Sequence, residues 1–189
     1  KLHPRISSTA KRIWYVYLTL TVTQVLLLML GNMSFFDSVC HSFATVATGG
    51  FSTRQSSIAY YNSPYIEYVI SIFMILSGIN FTLFFYLVKG KVKKALLDEE
   101  LKWFLWSMLF FTVIITVTLI RTSPMGWEES FRKALFQVSS LHTSAGFTST
   151  DFMTWTPFLW TLLGIIMFLG ACSGSTSEGI KSIRILILG

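Results

Sequence analysis

Charged residues are scarce in this sequence. They make up 13% of its 189 residues, roughly half the share found in soluble globular domains. The few that occur are clustered and leave long stretches nearly free of charge, while apolar residues account for 52%. This distribution argues against a soluble enzyme or binding domain and is typical of a membrane protein surrounded by lipid.

Cysteine is also rare, and the two cysteines, Cys40 and Cys172, lie far apart in the chain. They form no disulfide framework and have no metal-ligand spacing, and we expect no covalently bound cofactor. The net charge of +6 does not indicate a nucleic-acid partner. Lys and Arg lie mostly at the ends of apolar stretches, where they determine membrane topology.

Long apolar stretches are abundant instead. Three of them cover approximately residues 13–33, 65–88 and 101–120. Each approaches the roughly 20 residues that cross a hydrocarbon core. A fourth begins near Phe158, is interrupted after Gly170 by "ACSGSTSEG", and resumes as "IKSIRILIL". We therefore predict an all-α membrane protein whose fourth span is broken at residues 171–180.

Basic residues predict the orientation of these spans. They concentrate before the first span, in residues 1–12, and between the second and third, in a connector at residues 91–100 and just before it. The positive-inside rule places both segments in the cytoplasm. Segments 34–64 and 121–157, which carry few basic residues for their length, are then extracytoplasmic.

The chain repeats itself weakly with an offset of 96 residues. This offset places Gly50-Phe51 on Gly146-Phe147, and Ser77-Gly78 on Ser173-Gly174. Each unit contains a span, a short apolar stretch, a polar loop and a second span. The short stretches, "FFDSVCHSFATVA" and "EESFRKALFQVSSL", are about three helical turns long, too short to cross a membrane. We interpret them as pore helices followed by re-entrant loops.

The composition of the two loops indicates cation chemistry. A dehydrated alkali cation needs oxygen ligands, and rings of backbone carbonyls supply them in potassium-selective filters. Glycine permits the backbone conformations that turn carbonyls toward one side. Neither loop contains a charged side chain. The predicted selectivity therefore depends on carbonyl dipoles, with the negative ends of the pore helices directed at the cation.

These features together resemble the Trk/Ktr/HKT superfamily of potassium transporters, and within it the bacterial Trk membrane subunit. The resemblance covers essentially the whole chain and depends on "ATGGFST", "TSAGFTS" and "CSGSTSEGIK". It implies four channel-like units in one polypeptide around a single pore. This chain would hold the second unit, residues 13–90, and the third, residues 101–189. It would be a fragment without the first and fourth units.

The resemblance also implies the residues of the site. Gly50 and Gly146 match the filter glycines of the family. The filter loops, residues 47–51 and 143–147, comprise Ala47, Thr48, Gly49, Gly50 and Phe51, and Thr143, Ser144, Ala145, Gly146 and Phe147. Potassium, the transported ion, would be coordinated by the backbone carbonyls of Thr48, Gly49, Gly50, Ser144, Ala145 and Gly146.

The interrupted fourth span would act as a gate. Its residues, which we call the gate loop, are Cys172, Ser173, Gly174, Ser175, Thr176, Ser177, Glu178 and Gly179, with Lys181 just after. Glycine and hydroxyl residues compete with helical hydrogen bonding, and breaks in spans mark ion or substrate sites. The family commonly has two glycines where this chain has Glu178-Gly179, so a carboxylate would lie near the pathway.

The resemblance further implies a multi-pass protein of the bacterial cytoplasmic membrane that forms a homodimer and binds a cytosolic nucleotide-binding regulatory subunit. Its function would be potassium uptake rather than enzymatic catalysis. One alternative is a broken-helix secondary transporter for another cation or small solute. Another is a membrane enzyme using His41, His142 or Cys172, but no nucleophile, base and orienting group have suitable spacing. We interpret the two histidines as hydrogen-bonded residues of the pore helices.

Overall fold

The computed structural model describes residues 3–88, Lys93 and residues 97–177. The described chain contains seven α-helices and two short 3-10 helices, and no strand of two or more residues is described in these ranges. The helices are α1 (His3–Leu30), α2 (Phe35–Val46), α3 (Pro64–Gly78), α4 (Phe81–Val88), α5 (Glu99–Thr122), α6 (Trp127–His142) and α7 (Pro157–Phe168). The 3-10 helices are Ser57–Tyr61 and Phe152–Thr154.

Two helices contain segments long and apolar enough to cross a membrane. They are Ile13–Leu30, within α1, and Glu99–Thr122, which is α5. The shorter apolar helices are Pro64–Gly78 and Pro157–Phe168. Many large apolar side chains on α1 and α5 are exposed, including Trp14, Leu26, Trp106 and Phe110. An exposed apolar surface of this extent fits a lipid environment.

Local sequence determines where several helices begin. The Ser34 side chain accepts a hydrogen bond from the Asp37 N–H (3.1 Å) at the start of α2. Asp98 does the same for the Leu101 N–H (2.9 Å) at the start of α5. Pro64 occupies the first turn of α3, where its missing N–H and fixed φ suit a helix start.

One predicted span differs from the structure. The sequence predicted a continuous second span over residues 65–88, whereas the helix ends at Gly78 and restarts at Phe81. At the break, the Asn80 side chain accepts the Thr82 N–H (2.9 Å), and the Phe81 N–H donates to the Gly174 carbonyl (3.2 Å). The break therefore exists because residues from the other half of the chain pack into it.

The two halves of the chain share one packed core. Phe136, Ala145 and Phe147 from the second half lie in the same apolar cluster as Ile70 and Met74 of α3. A second cluster joins α5, α6 and α7. The halves are therefore held together by buried apolar surface, which is the dominant favourable contribution to folding.

A buried ion pair crosses the same boundary. The Arg132 guanidinium on α6 lies 2.5 Å from a Glu67 carboxylate oxygen on α3 and 3.0 Å from Glu128 on its own helix. The side chains of Arg132 and Glu67 are 11% and 5% exposed. Removing one partner of such a pair leaves a buried charge uncompensated, which is more costly than losing an exposed pair.

We expect Glu67→Gln to lower the thermal stability of the purified protein measurably. Breaking a buried pair costs about 3–5 kcal/mol, and the remaining Glu128 places this case at the lower end. Glu129→Gln is the matched control, because Glu129 is 41% exposed and pairs with Lys133 on the same helix. A pair with a solvent-exposed partner contributes less than a buried one, about 1 kcal/mol. Tm is measured by the change in tryptophan fluorescence on heating. Equal decreases in Tm for the two variants would contradict the conclusion that the Glu67–Arg132 pair stabilises the fold.

Candidate functional site

The backbone changes hand directly after each of the two short helices. Thr48 follows α2 with φ of 52°, and Gly50 has φ of 65°. Ser144 follows α6 with φ of 58°, and Gly146 has φ of 81°. The residue between each pair, Gly49 or Ala145, lacks positive φ. The two filter loops thus have the same alternation of backbone conformation at positions 96 residues apart.

The N–H groups of these loops turn back to the preceding helix. After α2, Thr48 donates to the Thr45 carbonyl (3.0 Å) and Gly49 to the Ala44 carbonyl (2.7 Å). This pair of bonds around a left-handed residue is a Schellman C-cap. After α6, Ser144 donates to the Leu141 carbonyl (3.1 Å), the equivalent of the Thr48 bond.

The carbonyl groups of the loops are used differently from their N–H groups. Among the described residues, no backbone N–H donates to the carbonyl of Thr48, Gly49, Gly50, Ala145 or Gly146. A backbone carbonyl away from secondary structure needs another partner, such as water, a side chain or a cation. The loops therefore bond several of their N–H groups to helix carbonyls, while these five carbonyls accept no backbone N–H among the described residues, an arrangement suited to binding a cation.

The structure brings the two filter loops together. A Cβ atom added to Gly50 would collide with the carbonyl oxygen of Ala145 and would lie 3.1 Å from the carbonyl carbon of Gly146. Gly50 also has positive φ, a region that residues with side chains rarely adopt. Glycine is thus required here both by backbone conformation and by close approach of the second loop.

A buried acidic group attaches the first loop to its helix. The Asp37 carboxylate accepts hydrogen bonds from the Thr53 hydroxyl (2.6 Å) and the Arg54 guanidinium (2.9 Å). Chiefly the Thr53 bond, aided by Arg54, holds the pKa of Asp37 well below its ordinary value. Nearby, the His41 ring contacts the Asp37 carbonyl (2.7 Å) and the Ser52 hydroxyl (2.8 Å). The histidine is therefore hydrogen-bonded through both ring nitrogens, as predicted.

The second loop is held by other contacts. Ser140 donates to the Phe147 carbonyl (2.6 Å). The N–H groups of Ile58 and Ala59, in the first half of the chain, donate to the Thr148 carbonyl (3.1 and 3.3 Å). The Nε2 of His142 lies 2.8 Å from the Ser107 hydroxyl, whereas its buried Nδ1 has no hydrogen-bond partner among the described residues, so the prediction of a hydrogen-bonded histidine holds here for one ring nitrogen. The second loop thus depends partly on the first half of the chain.

The two equivalent phenylalanines have different surroundings. Phe147 is 0% exposed, and its ring stacks at 6.0 Å on His41 of α2. Phe51 is 81% exposed. The surface that covers the second loop is supplied by the first half of the chain, and the described residues provide no corresponding cover for the first loop.

The interrupted segment begins where α7 ends, at Phe168, slightly before the predicted start at residue 171. Cys172 donates its N–H to the Gly78 carbonyl (3.1 Å). The Thr48 hydroxyl lies 3.0 Å from the Thr176 carbonyl oxygen. This segment is therefore in direct contact with the first filter loop. Glu178, Gly179 and Lys181, predicted as part of the gate, lie outside the described residues.

Sequence analysis missed Glu100. Its side chain accepts hydrogen bonds from the Ser173 N–H (2.5 Å) and the Ser173 hydroxyl (2.9 Å), and the residue is 8% exposed. In the sequence it belongs to the charged run before the third span. Its position in the first turn of a membrane helix was the one available signal, since a carboxylate buried there requires a partner.

Comparison with known proteins identifies the family. The TrkH family model, described as cation transport protein, matches residues 1–189. The chain is 42% identical over 189 residues to the Trk system potassium uptake protein TrkH of Halomonas elongata. It is 42% identical over 192 residues to TrkH of Escherichia coli K12. These relatives are named as transport proteins, in agreement with the prediction that the chain is not an enzyme.

A solved structure agrees in fold. The crystal structure of the potassium transporter TrkH from Vibrio parahaemolyticus matches with a TM-score of 0.93 and 40% sequence identity over 98% of this chain. The chain covers 40% of that structure and 39% of the Halomonas elongata relative. It therefore spans about two fifths of the length of the proteins it matches. The chain belongs to the TrkH family of cation transport proteins.

Proposed function

We propose that this chain forms two consecutive pore units of a potassium uptake protein, residues 13–90 and 101–189. Potassium passes between filter loops whose backbone carbonyls replace its hydration water. The observation that carries the proposal is the pair of loops after α2 and α6. They adopt the same alternating backbone conformation and meet at Gly50 and Ala145. The potassium uptake function of the named relatives supports the choice of ion.

The hydrogen bonding of the loops explains how they would bind the ion. The N–H groups of Thr48, Gly49 and Ser144 are engaged by helix carbonyls. Five of the loop carbonyls, those of Thr48, Gly49, Gly50, Ala145 and Gly146, accept no backbone N–H among the described residues. Carbonyl rings of this kind coordinate potassium without a charged side chain. The ligands proposed are the carbonyls of Thr48, Gly49, Gly50, Ser144, Ala145 and Gly146.

The contrast between Phe51 and Phe147 supports a ring of more than two units. Phe147 is buried against α2 of the preceding unit. If each unit covers the next, Phe51 is covered by a unit that precedes residue 13. We propose that first and fourth units of the same polypeptide complete the pore.

The gate loop is proposed to close the pathway beside the filter. Its polar residues contact Thr48 in the first unit and the helix break at Gly78 and Phe81. Movement of this loop away from Thr48 would open the path. Hydroxyl and glycine residues suit such a role, because their hydrogen bonds can be exchanged for bonds to water.

The assembly around the chain is also part of the proposal. The protein is a multi-pass component of the bacterial cytoplasmic membrane, with residues 1–12 and the connector at 91–100 on the cytoplasmic side. It forms a homodimer and binds a cytosolic nucleotide-binding regulatory subunit. The Trk system named for the relatives supports such partners.

The first test is uptake of radiolabelled rubidium into liposomes that contain the full-length parent protein. We expect uptake that excess potassium blocks and excess sodium does not. Gly50→Ala should abolish this selectivity, because the added Cβ would collide with Ala145 and positive φ would be strained. Gly49→Ala is the matched control. Its Cβ would approach the Phe51 ring at 3.3 Å, and Gly49 lacks positive φ.

Selective uptake that survives Gly50→Ala as well as it survives Gly49→Ala would reject the filter assignment. A parent protein that transports no rubidium in the presence of its cytosolic partner would reject potassium uptake itself. Size-exclusion profiles of both variants establish that they are folded and assembled.

A second experiment tests the gate. Deletion of residues 174–177 should raise the rate of rubidium uptake several-fold, because it removes the segment that contacts Thr48. Selectivity for potassium over sodium should stay unchanged, since the filter loops are intact. An unchanged rate in a folded deletion variant would show that this segment does not restrict the pathway.

A further inference from the structure

The described part of the gate loop, residues 172–177, is attached unevenly. Its first half is bonded to three separate elements. Cys172 donates its N–H to Gly78 (3.1 Å), Ser173 donates twice to Glu100, and the Gly174 carbonyl accepts the Phe81 N–H (3.2 Å). These contacts involve backbone groups and a carboxylate, so the first half has the character of a fixed attachment.

After Gly174 the structure describes residues 175–177, which make several contacts through hydroxyl groups and one backbone bond, from the Ser175 N–H to the Cys172 carbonyl (3.3 Å). The Thr48 hydroxyl lies 3.0 Å from the Thr176 carbonyl, and the Thr176 hydroxyl lies 3.4 Å from the Ser77 carbonyl. Ser175 bonds within the loop, to the Cys172 carbonyl and the Ser177 hydroxyl. Neutral hydroxyl bonds are weaker than bonds to an ionised group and exchange readily with water.

The Glu100 side chain is suited to the first attachment. It lies in the first turn of α5, two residues after the N-cap Asp98, and is 8% exposed. One carboxylate oxygen accepts the Ser173 N–H and the other accepts the Ser173 hydroxyl. The N–H can only donate, so the residue at position 100 must supply an acceptor. An ionised carboxylate accepts both bonds with charge assistance.

Gly174 marks the boundary between the two halves. Its φ is 78°, and a Cβ atom there would lie 2.9 Å from the Asn80 side chain. Asn80 in turn accepts the Thr82 N–H at the start of α4. Glycine at this position permits a change of direction against a fixed neighbour.

We infer that Glu100 is the positioning residue of the gate: it fixes residues 172–174, so the loop turns at Gly174 and residues 175–177 move. This inference rests on the gate proposed above. Glu100 acts through Ser173 and does not contact the permeating ion. Without it, the first half of the loop becomes mobile and the closed arrangement against Thr48 is less populated.

The first test measures the attachment without transport. Cys172 is 0% exposed and adjacent to Ser173. In the full-length parent protein with Cys172 as its only cysteine, we measure the rate of reaction with N-ethylmaleimide. Glu100→Leu should raise this rate by about tenfold, the change expected when hydrogen bonds to a charged group are lost. Glu100→Gln should give an intermediate rate, because its amide oxygen still accepts the Ser173 N–H.

Glu99→Leu is the matched control. Glu99 is the exposed neighbour in the same helical turn, so its removal makes the same change in charge and helix start. Its rate should equal that of the parent. Equal rates for Glu100→Leu and Glu99→Leu would overturn the inference. If Glu100→Leu does not assemble, Ser173→Ala is used instead. This variant removes only the hydroxyl bond and should produce a smaller increase in the labelling rate. An unchanged labelling rate would then overturn the inference.

Rubidium uptake provides the second measurement. Glu100→Leu should raise uptake several-fold while preserving selectivity for potassium over sodium, because the filter loops are untouched. Combining Glu100→Leu with Ser173→Ala should add little to Glu100→Leu alone, since both act on one contact. Unchanged uptake or fully additive effects would overturn the role in gating. A parent without potassium-sensitive uptake would instead reject the proposed function, while the labelling result still tests the attachment.

Discussion

A left-handed residue directly after each short helix determines how the rest of the site is arranged. At Thr48 and Ser144 the backbone reverses hand, and the next N–H groups return to the carbonyls of α2 and α6. Helix ends normally leave four carbonyls without intrahelical partners. Here N–H groups of the loops supply some of those partners, while the carbonyls of Thr48, Gly49, Gly50, Ala145 and Gly146 accept no backbone N–H among the described residues. In the proposed filter, the turn that caps each helix is therefore also the segment that offers carbonyls to a cation.

Close contact between the loops imposes the second constraint. Gly50 lies against the Ala145 carbonyl, and no side chain fits between them. Such close contact requires that side chains outside the contact hold each loop in position. In the first unit Asp37 binds Thr53 and Arg54, whereas in the second Ser140 binds the Phe147 carbonyl. The two units have similar backbones but different supporting side chains, which explains why their sequence identity at the 96-residue offset is sparse.

The parts of this structure that local sequence determines could be predicted. The two short helices were predicted from the length of their apolar stretches. The 96-residue offset placed Gly50 and Gly146 at equivalent positions. The left-handed conformation of Thr48 was not predicted, because threonine disfavours it and only the cap explains it. The break at Asn80 was also missed, because it depends on Gly174 from the other half of the chain. Glu100 was missed for the same reason, since its partner Ser173 is 73 residues away.

These long-range contacts link the first filter loop to the gate loop in the second half of the chain. The gate loop contacts Thr48 through Thr176 and is attached to α5 through Ser173 and Glu100. Helix α5 begins at Glu99, within the last residues of the connector at 91–100. A displacement of the connector would move the first turn of α5, and with it the carboxylate that holds Ser173. Because Gly174 separates this attachment from Thr176, such a displacement would alter the contact with Thr48 without deforming the filter loops. In the proposed transporter, the same geometry would separate control of permeation from ion selectivity.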